Sequence, residues 1–501
     1  MNSRINRQRK NTLLLIGFSL ITAFLFVLFF SKSTSFLYNQ PDLHDSGTFL
    51  TIGKYWAHGH LPYRDLFDHK GPLLFFINAL GYILTGNRFG VMTLQILFFT
   101  CFTFITYKCY RTHFTRNWAI VLIIITLCAI PISYEVGNTV EEYSLPLFML
   151  SFFFIHKWVS NLYSNEFKHN AIYSFIYGLL FAFCFLTRLS NAIALCCSLF
   201  IIVVTLVVKK EWSNLLKNAL SFLLGFTIVT LPFVIYFWSN DAIEDFWYGT
   251  IAYNIEYSRN ISGIVIEKMS LTSFISILSV LNCIILILIG IHEILFYSGR
   301  KLAGLMWLFI GGITLIWLVL TLRNFVYVTC FIPFWMIVFF ELKVIMDDSK
   351  SQNKRKFVSY LNMTICSVLL FEGAWKFCRR VQDVYRNEQH LELKEMNVLI
   401  DEIPVQERDS FIAYNCYSDI YLYNSIQPCY PFFIIQDWQG NLGESLNYKI
   451  HKTFDEGCAK WILYQHSEHP AIIQDVLDNR YEIVNSSEDG NYILYRLKDS
   501  E

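Results

Sequence analysis

About eleven long apolar runs dominate this chain, at 12–30, 89–107, 118–133, 144–159, 171–186, 191–208, 219–238, 271–296, 302–321, 325–340 and 357–377. At about 1.5 Å of rise per residue, a helix of roughly 20 residues crosses the ~30 Å hydrocarbon layer of a bilayer. Because hydrocarbon offers no water to backbone N–H and C=O groups, such runs must satisfy them internally as helices. The chain is therefore expected to be a polytopic α-helical membrane protein with about 11 transmembrane helices. Composition agrees, with 54% hydrophobic and only 16% charged residues. A formal net charge of zero leaves no basic excess for nucleic acid, which is not an expected partner.

The placement of Lys and Arg orients the spans. Arg4, Arg7, Arg9 and Lys10 precede the first run, which is too long for a signal-peptide core and lacks a small-residue cleavage site, so it reads as a retained anchor. Eleven spans put Lys108, Arg111, Arg116, Lys168, Lys209, Lys210, Lys217, Arg300, Lys301, Lys343 and the 350–356 cluster on the same side as that N-terminus. This satisfies the positive-inside rule, with a cytoplasmic N-terminus and an external C-terminus. Counting 72–85 as a twelfth span inverts everything after it, and a helix of that length reaches only about 21 Å. It is expected to lie at the interface. The 171–208 stretch, broken at Thr187-Arg188-Leu189-Ser190, reads as two spans with an external turn between them.

Residues 1–378 thus form a transmembrane domain, and 379–501 a polar, external soluble α/β domain. In that tail, 410–414, 432–436, 460–464, 481–484 and 492–497 read as strands and 389–400 and 470–479 as helices, with a hairpin at Asp489-Gly490. Of 13 cysteines, most sit in apolar runs as small hydrophobes, and none shows zinc-binding spacing. Cys416, Cys429 and Cys458 lie in the tail, where a bridge between two of them is left open.

The stretch between the first two runs concentrates acids, histidines and bases. Phe49, Ile52 and Trp56 recur at helical spacing before Gly59, giving a short amphipathic helix, and Pro72 suits the first turn of a second. Both are expected to be interfacial helices in the first external loop. The ordered pattern Asp45-x-Gly47, Gly59-x-x-Pro62-Tyr63-x-Asp65, Asp68-x-Lys70-Gly71-Pro72-Leu73 resembles the first external loop of GT-C glycosyltransferases, in the branch of protein O-mannosyltransferases and lipid A aminoarabinose transferases. Many members carry two adjacent acids where this chain has Asp45-Ser46, which bears on whether a metal takes part.

The resemblance implies a membrane glycosyltransferase that takes a sugar from a polyprenyl-phosphate donor and passes it, with inversion, to a glycan, lipid or protein acceptor on the external face. A bacterial plasma membrane is the expected location. Asp45 matches the family acid and is the expected catalytic carboxylate; the bland alternative is a helix cap, a role asparagine fills as well. The second loop, 134–143, adds Glu141 and Glu142, similar to the acidic second loop of the same group, or else a solvated loop. Carboxylates such as Asp45 and Glu142 suit a divalent cation, Mg2+ or Mn2+. Lys70, Arg188 and Arg323, cations at span edges, are candidates for the donor phosphate; a snorkelling lysine and interface anchors are the alternatives. Asp68, His69, Asn138, Asn254 and Tyr257 are candidate sugar or acceptor contacts. The rival function is a transporter or flippase of lipid-linked sugars, which predicts symmetric halves and charges near mid-membrane.

Overall fold

The computed structural model describes residues 2–39, 43–162, 164, 166–261, 273–320, 325–386, 391–466 and 470–498. The chain forms two compact units that interleave in sequence. One comprises 1–30, 94–233 and 265–382, the other 31–93, 234–264 and 383–501.

The first unit is helical. Among the described residues of the whole chain, eight helices are long and apolar enough to cross a membrane, and four shorter apolar helices accompany them. Three of the shorter ones, Arg116–Ile132, Ala171–Phe185 and Val280–Phe296, occupy runs expected to span, and the fourth is Pro72–Thr85. The break expected within 171–208 is real: Ala171–Phe185 ends, a short 3-10 turn covers Leu189–Ala192, and Ile193–Val208 follows. Apolar side chains gain little by leaving lipid for a neighbouring helix, so small residues that admit close backbone approach drive the packing. Accordingly, a methyl group at Gly290 would lie 2.7 Å from the Gly304 carbonyl, and one at Gly178 would overlap the Phe222 carbonyl.

The second unit holds the polar first loop. Its helices His44–Ala57 and Pro72–Thr85 meet where Gly53 faces Asn78, with no room for a Cβ. Gly86, with φ of 72°, terminates the second helix in the left-handed conformation that glycine adopts without strain. The same unit contains a four-stranded sheet, β1 (Phe411–Tyr414), β2 (Trp461–Gln465), β3 (Tyr481–Ser486) and β4 (Tyr492–Leu497), in the order β1-β2-β4-β3. β1 and β2 are parallel, and β4 is antiparallel to both β2 and β3. The hairpin at Asp489-Gly490 joins β3 to β4. Asp489 accepts from Ser487 Oγ at 2.6 Å and from the Asn491 amide at 3.0 Å, and these bonds hold its carboxyl below the usual range.

One expected strand is absent. Residues 432–436 carry the unbroken apolar run of a buried strand, yet Ile435 has a left-handed φ of 36°, and the Gln436 amide donates to the carbonyls of Ala413 and Phe432. Phe432, Phe433 and Ile434 instead fill the core from an irregular segment. The helices expected at 389–400 and 470–479 appear as Leu391–Asp401 and Gln474–Arg480. Cys416, Cys429 and Cys458 are free thiols, and burial pushes Cys429 up to about 12.

Candidate functional site

In the second unit, Asp45 lies in the first turn of His44–Ala57 with its side chain exposed. The N-cap position belongs to Leu43, so Asp45 does not cap this helix. The missing acceptor comes from far along the chain: the backbone N–H of Leu43 donates to Asp419 Oδ2 at 2.8 Å. A carboxylate at a helix N-terminus also meets the positive end of the helix dipole. The Asp419 carboxylate lies so close to Gly47 that any Cβ there would overlap it, which gives the glycine of Asp45-x-Gly47 a steric reason. His44, preceding Asp45, holds a φ of 46°, a strained value for a non-glycine residue.

The rest of the motif builds a tight loop. Gly59 takes a φ of 96°, and Tyr63 one of 72°. Asp65 Oδ2 accepts from the Leu61 amide at 2.7 Å. The Tyr63 hydroxyl donates to the Lys70 carbonyl at 2.8 Å, and its phenol is held well above its usual value by burial and then by Asp68. Asp68, His69 and Lys70 form a continuous set. Lys70 Nζ lies 2.9 Å from His69 Nε2, and His69 Nδ1 lies 3.2 Å from Asp68 Oδ1. An ammonium only donates, so Nε2 accepts and Nδ1 carries the proton directed at Asp68. Asp68 Oδ1 also accepts from the Lys70 amide at 3.0 Å. Lys70 is only 7% exposed and directly precedes Gly71, the N-cap of Pro72–Thr85. Asn254 positions this loop by donating to the His69 carbonyl at 2.8 Å.

In the first unit, Glu141 and Glu142 both lie in the interior, at 0% and 2% exposure. Arg188 Nη1 pairs with Glu141 Oε1 at 2.8 Å, while the Arg188 guanidinium lies 4.5 Å from the centre of the Tyr327 ring. Asn191 Nδ2 also donates to Glu141, at 3.3 Å. Glu142 accepts from Gln95 Nε2 at 2.7 Å. Asn138 is buried with a φ of 55°, and its side-chain oxygen accepts from the Tyr143 hydroxyl at 2.6 Å. Thus two expected roles, the Glu141 carboxylate and the Arg188 cation, meet in one ion pair. Among the described residues there is no group of three or more His, Cys, Asp or Glu that could hold a metal ion. Arg323 and the Tyr257 side chain lie outside the described residues.

Sequence reasoning missed Asp419, Gln95 and Tyr63 as partners of the candidate residues. Tyr63 was visible as a motif position, but its bond to Lys70 was not. Asp419 and Gln95 carry no local signal, since their partners lie in distant segments.

Among solved structures, the chain is similar to ArnT from Cupriavidus metallidurans bound to undecaprenyl phosphate, with a TM-score of 0.55 and 11% identity over 95% of this chain and 97% of that one. It is also similar to the arabinofuranosyltransferase AftD from Mycobacteria, with a TM-score of 0.42 and 10% identity over 97% of this chain and 40% of that one. The curated proteins contain no match. The ArnT likeness shows the fold: an ArnT-like, mostly helical membrane architecture with a small C-terminal sheet. A protein-family model described as "Putative competence-induced protein Ccs4 N-terminal domain" matches residues 2–372. The chain, with most of its length inside that match, belongs to the competence-induced Ccs4 family and shares the fold of ArnT.

Proposed function

We propose that this protein is a GT-C-type membrane glycosyltransferase that moves a sugar from a polyprenyl-phosphate donor to a hydroxyl acceptor on the external face of the membrane, with inversion. The observation that carries this reading is the exposed Asp45 carboxylate on a helix anchored by Asp419 and Gly47, in a chain with the ArnT fold.

In the proposed step, Asp45 accepts the proton of the acceptor hydroxyl as its oxygen attacks the anomeric carbon. The bond from that carbon to the phosphate oxygen breaks, and its electron pair leaves with the polyprenyl phosphate. One displacement inverts the centre. Lys70 and the free N–H groups opening Pro72–Thr85 are suited to the phosphate, because a helix N-terminus and an ammonium both favour an anion. Preorganised donors of this kind stabilise the charge that develops on a leaving group. Arg188, its guanidinium fixed by Glu141, and Arg323 are the other candidate cations, each tested by its own neutralisation. Whether a divalent cation such as Mg2+ or Mn2+ takes part is tested separately, by comparing transfer before and after dialysis against EDTA.

Transfer of radiolabelled sugar from polyprenyl-phosphate donors in proteoliposomes tests the reading. An aligned general base contributes about 10²–10⁴-fold, so Asp45→Asn is expected to lose turnover on that scale while donor binding and thermal stability persist. Asp45→Asn turnover within about threefold of the wild type would remove Asp45 from the mechanism, being far below that range.

A further inference from the structure

The C-terminal segment places one large aromatic face beside the first loop that the transfer chemistry above does not use. Trp438 is 40% exposed, and its ring lies 6.3 Å from that of His69 within the same compact unit. The Tyr253 ring also lies near His69, at 5.8 Å.

The chain holds Trp438 firmly. The preceding residue, Asp437, accepts from the Tyr414 hydroxyl at 2.5 Å, from Asn415 Nδ2 at 2.6 Å and from the Ile472 amide at 3.0 Å, while its own N–H donates to Asn415 at 2.9 Å. Gln436 accepts from the Asn415 amide at 2.6 Å. Ile435, a β-branched residue, is kept in the left-handed region, a conformation that persists only when its surroundings over-determine it. All of this fixes an indole that stays half in water. Beside it stands His69, itself bonded to Lys70 and Asp68, groups that bond hydroxyls. An apolar ring face flanked by convergent polar donors and acceptors fits a saccharide, whose C–H face stacks while its hydroxyls bond.

We propose that Trp438 and His69 form the aromatic wall of a saccharide subsite, with Asp68 and Lys70 at its polar edge. The subsite rests on the glycosyltransferase reading, and its saccharide ring comes either from the acceptor glycan or from the donor's sugar. The C-terminal segment then selects the substrate.

Saturation-transfer NMR on the full chain in detergent, with methyl glycosides of glucose, mannose, galactose, N-acetylglucosamine and arabinose as probes, tests the subsite directly. At least one glycoside is expected to bind the wild type. Binding should weaken roughly 2- to 10-fold in Trp438→Ala, the scale of one lost aromatic contact, and recover in Trp438→Phe. In the transfer assay, a raised acceptor KM in Trp438→Ala assigns the ring to the acceptor, and a raised donor KM assigns it to the donor. Trp438→Ala with wild-type glycoside binding and both KM values unchanged overturns the subsite. If the wild type transfers sugar yet binds no glycoside, the subsite falls and the enzymatic reading stands. If it neither transfers sugar nor binds undecaprenyl phosphate or any glycoside, both fall.

Discussion

Removing the Asp419 carboxylate tests how the helix bearing Asp45 is held. In Asp419→Ala the Leu43 N–H loses its 2.8 Å acceptor at a residue only 1% exposed. An unsatisfied buried donor costs about 1–3 kcal/mol, and loss of a helix cap typically costs ~1 kcal/mol. Gly47→Ala perturbs the same contact from the other side, since its methyl would overlap the Asp419 carboxylate and lie 3.0 Å from Ser418 Oγ. Overpacking of this kind costs about 1–3 kcal/mol. Asp419→Ala removes the atom that the methyl strikes, so the double variant should be less destabilised than the sum, by roughly 0.5–3 kcal/mol of coupling. Asp45 lies between Leu43 and Gly47, and a displacement of about 1 Å is enough to lose 10²-fold in rate. Each single variant should therefore lose turnover with the donor KM little changed, and Asp419→Asn, which keeps an acceptor oxygen, should recover most of it. Thermal unfolding of the purified protein and the transfer assay read the two effects. Additive stabilities in the double-mutant cycle, or wild-type turnover in Asp419→Ala, would refute the linkage.

Lys70→Gln should weaken undecaprenyl-phosphate binding, measured by competition, while leaving the fold intact; unchanged affinity moves the phosphate site elsewhere. Arg188→Gln removes the cation paired with the buried Glu141 carboxylate and should destabilise the protein by about 3–5 kcal/mol, whereas Arg188→Gln/Glu141→Gln should regain much of that in a thermal melt. In a cysteine-free background, a thiol at position 498 should label from outside and one at position 111 only after permeabilisation; the reverse pattern inverts the topology. The Asp489 hairpin supplies a pH dependence. Its carboxyl titrates below its ordinary 3.8, so its contribution is present above that value and is lost as pH falls through the lowered one. Hydrogen exchange at the hairpin should therefore show no Asp489-dependent change from pH 5 to 8, with loss only on acidification.

Local pattern carried much of the architecture. The period of Phe49, Ile52 and Trp56, and the punctuation by Pro72 and Gly86, were enough to find both first-loop helices, because such signals depend on residues a few positions apart. The same holds for the break near Arg188 and for the Asp489-Gly490 turn. The segment 432–436 failed that reasoning because an apolar run reports burial rather than conformation, and a side-chain amide, that of Gln436, took the bonds a neighbouring strand would have made. The candidate residues were legible as residue types, whereas their partners were not: Leu43 and Asp419 are 376 positions apart, and Glu141 and Arg188 are 47 apart. Hence the sequence offered Glu141 and Arg188 separate roles, and only the structure joins them.

The dependence of the first loop on the C-terminal segment goes further than one cap. Besides Asp419 at the Leu43 amide, the Phe67 amide donates to the Pro431 carbonyl at 2.9 Å and the Tyr55 hydroxyl to the Ile426 carbonyl at 2.6 Å. Leu422 and Tyr423 pack on the cluster of Leu43, Leu50, Tyr82 and Val91. The Phe67 and Phe432 rings are 4.8 Å apart. A polar loop bounded by apolar helices has few acceptors of its own for buried donors, and this segment supplies three of them. Each such bond is worth about 0.5–1.5 kcal/mol net once water reaches the donor, and the apolar contacts with Leu422, Tyr423 and Phe432 are lost with them. A chain ending at residue 382 should therefore insert into the membrane yet lack sugar transfer, with proteolytic cleavage appearing in 43–71. Supplying residues 383–501 in trans should restore protection if the segment folds by itself. Protection of 43–71 in the truncated chain equal to that in the full protein would show that the first loop is self-sufficient and would dissolve this account of Gly47 and Asp419.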